Sequence, residues 1–273
     1  VIAPLKGTPA ERAGVLTGDQ ILLIDDKSTK GLSTDEAVRL IRGEKGTVVK
    51  IHILRGEEDK EISITRDTIQ VPTIDTAYNA DTGIFTISLY SFTGNSSTLF
   101  NKALAEFRKS GSHKLIIDLR GNPGGYLSAA VSLASHFLPE GDVIVTEDYQ
   151  GHEENIVHRS RGTGGIPELT KVVVLINAGS ASASEILAGA LQDHEQATLI
   201  GTHSFGKGSV QELVSVGDAS LKITIARWLT PSGRSISDGG LAPDIEVERT
   251  QEDYTAGKDP QMDRAIEFLT TGK

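Results

Sequence analysis

The sequence predicts a mixed α/β protein in two parts: a small α+β unit over residues 1–69 and, after a connector at 70–82, a larger core at 83–273. Three observations carry this expectation. Between residues 83 and 201, short apolar runs such as "KVVVLIN" and "ATLIG" alternate with helix-like stretches, the pattern of parallel strands covered on both faces. Before residue 69, "TVVKIHILRG" and "KEISITR" alternate apolar with polar residues, the pattern of a half-solvated sheet. After residue 208, "SVQELVSV", "LKITIARWLT" and "DIEVE" read as strands with no helix between them, and antiparallel pairing is expected.

In chain order, "GTPAERAG" gives a turn and a short helix with Pro9 in its first turn and Gly14 at its end. "GDQILLIDDKST" is a strand followed by an Asp-rich turn. "STDEAVRLIRG" is a helix with Ser33 or Thr34 as N-cap, acids in its first turn and Arg42 and Gly43 at its end. With "VIAPLKG" opening as if mid-strand, the first part reads strand–helix–strand–helix–strand, with "KEISITR" as a further strand. In the second part "GIFTISLYSF" is a strand and "SSTLFNKALAEFRKSG" an amphipathic helix stopped by glycine. "KLIIDLRG" is a buried strand, "GGYLSAAVSLASHFL" a helix opened by glycines, and "SEILAGALQD" a helix after the "KVVVLIN" strand. "DPQMDRAIEFL" closes the chain as a helix.

Composition narrows the function. The chain has 273 residues, 38% hydrophobic and 23% charged, enough for a packed core. A net charge of −10 argues against nucleic acid as a general partner. The apolar runs are strand-length, so no stable membrane insertion of this chain is expected. The absence of cysteine excludes disulfides, thiol catalysis and Cys-ligated metals, and the absence of an HExxH pair leaves a zinc hydrolase without support. No metal or organic cofactor is expected. "VIAPLKG" lacks the charged and apolar regions of a signal peptide and opens as if inside a strand, so a processed or longer protein is expected.

The chemistry centres on "NAGSASASEILAGALQD", at a joint between a buried strand and a helix. Active sites of α/β folds lie at such strand ends, and the first amides of a helix are free to hold an oxyanion. Ser180, Ser182 and Ser184 are equivalent on composition, as a nucleophile or as turn and N-cap residues. A serine nucleophile needs a base. None of the seven histidines has a persuasive setting. A lysine can serve if desolvation keeps it neutral, and Lys207 stands between glycines in the otherwise uncharged stretch "SFGKGSV".

The two halves together carry a resemblance. "GTPAERAGVLTGDQILLIDDKS" with "EAVRLIRGEKGTVVKIHILR" resembles a PDZ domain, without that fold's first strand and Gly-rich carboxylate-binding loop. "GSASASEI", Lys207 25 residues after Ser182, "IIDLRGNPGGYL", "PDIEV" and "DPQMDRAIEFL" resemble the carboxyl-terminal processing proteases of peptidase family S41, over nearly the whole chain. The resemblance implies a partial PDZ domain followed by an S41 core of ClpP/crotonase-like βαβ type with additional antiparallel strands. It implies a serine endopeptidase that cuts proteins near accessible C-termini. Ser182 takes the nucleophile position, Lys207 the general base, and Gln211 the position that orients the lysine. The Ala183 amide is one oxyanion donor; Gly124 or Gly125 supplies the other. Glutamine suits that place because a carboxylate would favour the charged lysine. Asp118 and Arg120 are expected to brace the "NPGG" loop. Arg42 is a candidate for PDZ–protease coupling, against a plain helix cap. Family likeness also implies an extracytoplasmic bacterial setting, with a homo-oligomer or an adaptor as further partners. A PDZ-type binding protein with a silent protease domain and a crotonase-like acyl-CoA enzyme are the rival readings. The three catalytic side chains weigh against the first, and the PDZ-like neighbour against the second.

Overall fold

Alternation and capping build the first unit. The computed structural model describes residues 1, 8–16, 18–69, 72–216 and 219–272, so most of the opening "VIAPLKG" strand and positions 70–71 lie outside the described residues. Pro9, preset for a helix start, opens α1 (Pro9–Arg12), which precedes β1 (Gln20–Ile24). Asp25 and Asp26 both take left-handed φ, 44° and 62°, and turn the chain tightly into β2 (Lys27–Ser28). Ser33 caps α2 (Thr34–Ile41) in a reciprocal box with Glu36. β3 (Val48–Arg55) and β4 (Glu58–Thr65) complete an antiparallel sheet of order β2-β1-β3-β4. Val49, Ile51 and Ile53 fall on one face of β3, as the alternation requires, and meet Val15, Ile24 and Ile64 in a small core.

An ion pair ties the start of β1 to the end of β3. The Asp19 carboxylate, 1% exposed, accepts Arg55 Nε at 2.7 Å, Arg55 Nη2 at 2.8 Å and the Leu16 N–H at 2.8 Å. The Arg55 hydrogen bond holds the Asp19 carboxyl below its ordinary value. A carboxyl lowered by folding adds stability that is full above its unfolded value of about 3.9 and is lost as pH falls through the folded one. Asp19→Asn is therefore expected to cost about 1–3 kcal/mol at neutral pH, with the difference from the parent shrinking below about pH 4. Melting temperatures of both proteins across pH 2–7 check this.

The second unit is a parallel sheet with an antiparallel companion. β5 (Ile74–Asn79) pairs antiparallel with β6 (Ile84–Leu89), so the middle of the expected connector is a strand. α3 (Ser96–Ser110) ends at Gly111, φ 69°, and leads to β7 (Lys114–Asp118). α4 forms over Leu127–Ala134, shorter than expected because the glycines before it belong to a loop. β8 (Val143–Asp148), β9 (Ile156–Arg159), β10 (Lys171–Ile176), α5 (Ala183–Asp193), β11 (Thr198–Gly201), β12 (Ser209–Val216) and β13 (Ala219–Leu229) follow. The last elements are β14 (Ile245–Glu246), α6 (Gln251–Thr255) and α7 (Pro260–Thr271).

The main sheet runs β14-β11-β10-β7-β6-β5, and β12-β13-β8-β9 forms the antiparallel one. β12 and β13 pair antiparallel as expected; β14, in "DIEVE", instead pairs parallel with β11. Successive residues of the central strands point to opposite cores. Leu115, Ile117, Val174 and Ile176 pack toward α3, α4 and α5, while Ile116, Val173, Leu175 and Ile200 meet Ala265 and Leu269 of α7. That double burial is why these strands read as unbroken apolar runs.

Residues 1–71 with 249–259 form one compact unit, and 72–248 with 260–273 the other. The chain thus leaves the second unit after Glu248 and rejoins it at Pro260, a departure from a continuous 83–273 core.

Candidate active site

Strand order assembles the site. β7, β10 and β11 are parallel neighbours, so the loops after them emerge side by side at one sheet edge. These are the loops of "RGNPGG", "NAGSAS" and "THSFGKG", far apart in the chain.

The three serines separate by environment. Ser180 is fully buried: its Oγ donates to Leu119 O at 2.8 Å and accepts the Asn177 N–H at 3.0 Å. Ser184 is fully buried too, and its Oγ donates to Asn122 O at 2.9 Å. Ser182 alone keeps a half-buried side chain, and its backbone is strained at φ 55°, ψ −115°. Non-glycine residues in such regions cost roughly 1–3 kcal/mol and cluster at functional turns. A sharp strand-to-helix turn of this kind pushes a serine Oγ outward.

Asn122, completely buried, shapes the facing loop. Its Nδ2 donates to Leu89 O at 2.7 Å, its Oδ1 accepts the Gly124 N–H at 2.9 Å, and its carbonyl accepts the Ala181 N–H at 3.0 Å. The Gly124 amide is thereby occupied. Among the described residues, the Gly125 and Ala183 N–H groups have no hydrogen-bond partner. Both glycines are required by space. A Cβ on Gly124 would lie 2.6 Å from Ala181 O and 2.9 Å from Ala183 N, and one on Gly125 would lie 2.0 Å from Phe92 O. The strand end before the loop is held by Arg120, whose Nε and Nη2 grip Asp118 at 2.9 and 2.7 Å.

The lysine loop is fixed through Glu185, in the first turn of α5. The fully buried Glu185 receives four donors: Ser204 Oγ and Gly206 N on Oε1, both at 2.6 Å, and Ser182 N at 2.7 Å and Lys207 N at 3.0 Å on Oε2. One carboxylate therefore holds the backbones of Ser182 and Lys207. A Glu three residues after a helix N-cap was the available sequence signal. The side chains are another matter. Lys207 and Gln211 are exposed, and among the described residues no hydrogen bond joins Lys207 Nζ to Ser182 Oγ or to Gln211. The structure thus gathers Ser182, Ala183, Gly124, Gly125 and the Lys207 backbone, and among the described residues leaves the Lys207 side chain apart from Ser182 and Gln211. Arg42, the exposed C-cap of α2, lies in the other unit.

A half-buried serine on a strained turn, with two unpartnered amides on adjoining loops, is the geometry of acyl-transfer sites in general. Sequence comparison narrows that class: the chain belongs to peptidase family S41, whose model matches residues 83–247, and a PDZ domain model matches residues 1–55. The carboxy-terminal-processing protease of Bartonella bacilliformis is 42% identical over 267 residues, 95% of this chain and 60% of that protein. The carboxy-terminal processing protease CtpA of Bacillus subtilis is 38% identical over 251 residues, 91% of this chain and 53% of that protein. Among solved structures, a photosystem II D1 C-terminal processing protease matches with a TM-score of 0.68 at 29% identity, covering 99% of this chain and 72% of that one. The chain spans 50% to 65% of the length of these and other curated relatives. The fold is therefore the expected one, a PDZ unit with an S41 core. Among the described residues no helix is long and apolar enough to cross a membrane.

Proposed function

We propose that this chain is the gating and catalytic part of a serine endopeptidase that cuts protein substrates near accessible C-termini by a Ser–Lys mechanism. The observation that carries the reading is the pair of unpartnered amides, Gly125 and Ala183, beside the strained Ser182. Ser182 Oγ attacks the scissile carbonyl and gives its proton to neutral Lys207. The oxyanion rests on the Ala183 and Gly125 N–H groups; Gly124 is the weaker candidate because Asn122 already occupies its amide. Lys207 then protonates the leaving amine, and water releases the acyl group from Ser182.

A neutral lysine needs water excluded from it. Lys207 is exposed in this structure, which supports a reading in which the site is gated. Catalysis requires substrate to cover the site while Gln211 orients Lys207 over Ser182. The PDZ-like unit gates the site in response to substrate, with Arg42 as its coupling residue, and the enzyme works outside the cytoplasm. The test is product analysis. The intact protein, incubated with an unfolded protein that has a free C-terminus, is expected to release C-terminal fragments detectable by mass spectrometry. Intact substrate, or the same fragments from a Ser182→Ala variant, would refute the reading.

Gly125→Ala probes the oxyanion loop. The added methyl collides with Phe92 O at a φ of 143°, so the loop must shift. A misplaced oxyanion donor is expected to lower kcat by about 10²-fold or more with a smaller change in KM. Steady-state kinetics on a quenched peptide measure both.

A further inference from the structure

A single buried side chain closes the base of the 249–259 excursion and reaches the root of the oxyanion loop. Gln261, 2% exposed, sits one residue past the point where the chain rejoins the second unit. Its Nε2 donates to Val247 O at 2.8 Å, next to the point of departure. The Val247 N–H in turn donates to Gly201 O at 2.8 Å, at the end of β11, from which the lysine loop springs. On its other side Gln261 Oε1 accepts Arg120 Nη1 at 3.1 Å. Arg120 is forked onto Asp118 and stands two residues before Asn122, which holds the Gly124 amide. One carboxamide thus spans departure, return and the strand end that carries Gly125.

We propose that Gln261 is a positioning residue of the oxyanion loop, acting through Arg120 to set where the Gly125 amide points. The inference rests on the Ser–Lys reading above. Gln261 touches no reacting atom, and its effect is on transition-state binding rather than on substrate capture. Two substitutions separate that role from plain packing. Gln261→Met keeps the length and loses both hydrogen bonds. Gln261→Glu keeps an acceptor for Arg120 and sets an oxygen against Val247 O, so it harms the fold at least as much.

The experiment measures kcat, KM, melting temperature and the affinity for a peptide boronate, in the intact protein, for both variants and for Ser182→Ala. Gln261→Met is expected to lower kcat about 10-fold, to weaken boronate binding by a similar factor, and to leave KM within about twofold. Gln261→Glu is expected to recover most of kcat and of boronate affinity despite a melting temperature no higher than that of Gln261→Met. A kcat unchanged in Gln261→Met, or a kcat and boronate affinity that follow melting temperature across the variants, would overturn the positioning role. Full activity in Ser182→Ala would instead overturn the Ser–Lys reading and this inference with it.

Discussion

Replacing Ser182 with alanine is expected to abolish turnover, by at least ~10³-fold in kcat, while the folded protein survives. Of the three neighbouring serines, Ser182 has the accessible side chain, so on the Ser–Lys reading its loss removes the nucleophile without opening a buried network. Ser180→Ala and Ser184→Ala should behave differently. Each removes a buried hydrogen bond to the segment after β7, Ser180 to Leu119 O and Ser184 to Asn122 O, and each should lower stability by about 1–2 kcal/mol, leaving turnover partly intact. Lys207→Ala should match Ser182→Ala in kcat. Its side chain has no hydrogen-bond or ion-pair partner among the described residues, so melting should move little. Lys207→Arg should not rescue activity, because a guanidinium stays protonated and cannot act as a base. Rates on a quenched peptide, with melting curves alongside, distinguish these cases.

Glu185→Gln is expected to be the second most damaging change, through geometry. Four donors converge on two oxygens, so turning either oxygen into an amide NH₂ sets donors against donors. Breaking a buried network of this kind costs about 3–5 kcal/mol. It also releases the peptide groups of Ser182 and Lys207 from their common anchor. A displacement near 1 Å at a reacting group is enough to lower kcat by ~10²-fold, so activity should fall even in the fraction that remains folded. Glu185→Asp keeps the carboxylate but shortens its reach, and should fall between the parent and Glu185→Gln in both melting temperature and kcat.

The elements that sequence displayed most clearly are those buried on both faces. β7, β10 and β11 have apolar neighbours above and below, and their residues show it. β5 reads as a connector in sequence because "IDTAYN" is an exposed edge strand with only Ile74 partly covered. The β8–β9 hairpin escaped notice because a polar stretch separates its strands and β9 is largely exposed. The direction of β14 is set by a long-range partner, β11, which no local pattern reveals. At the site, composition could not separate Ser180, Ser182 and Ser184; burial and a positive φ at Ser182 do. The proposed preference for Gly125 over Gly124 rests on Asn122, whose bond to the Gly124 amide is a matter of three-dimensional placement. Glu185 stands three residues after the N-cap of α5, but its grip on the lysine loop depends on β11 lying beside β10, which local sequence does not show.

The most direct test of the central claim is to locate the reactive serine by chemistry. The intact protein is treated with a peptidyl phosphonate, digested, and mapped by mass spectrometry, with Lys207→Ala as the control. The Ser–Lys account predicts one adduct, on Ser182, whose formation slows sharply in Lys207→Ala. An adduct on Ser180 or Ser184, or labelling of Ser182 at an unchanged rate without Lys207, would contradict it.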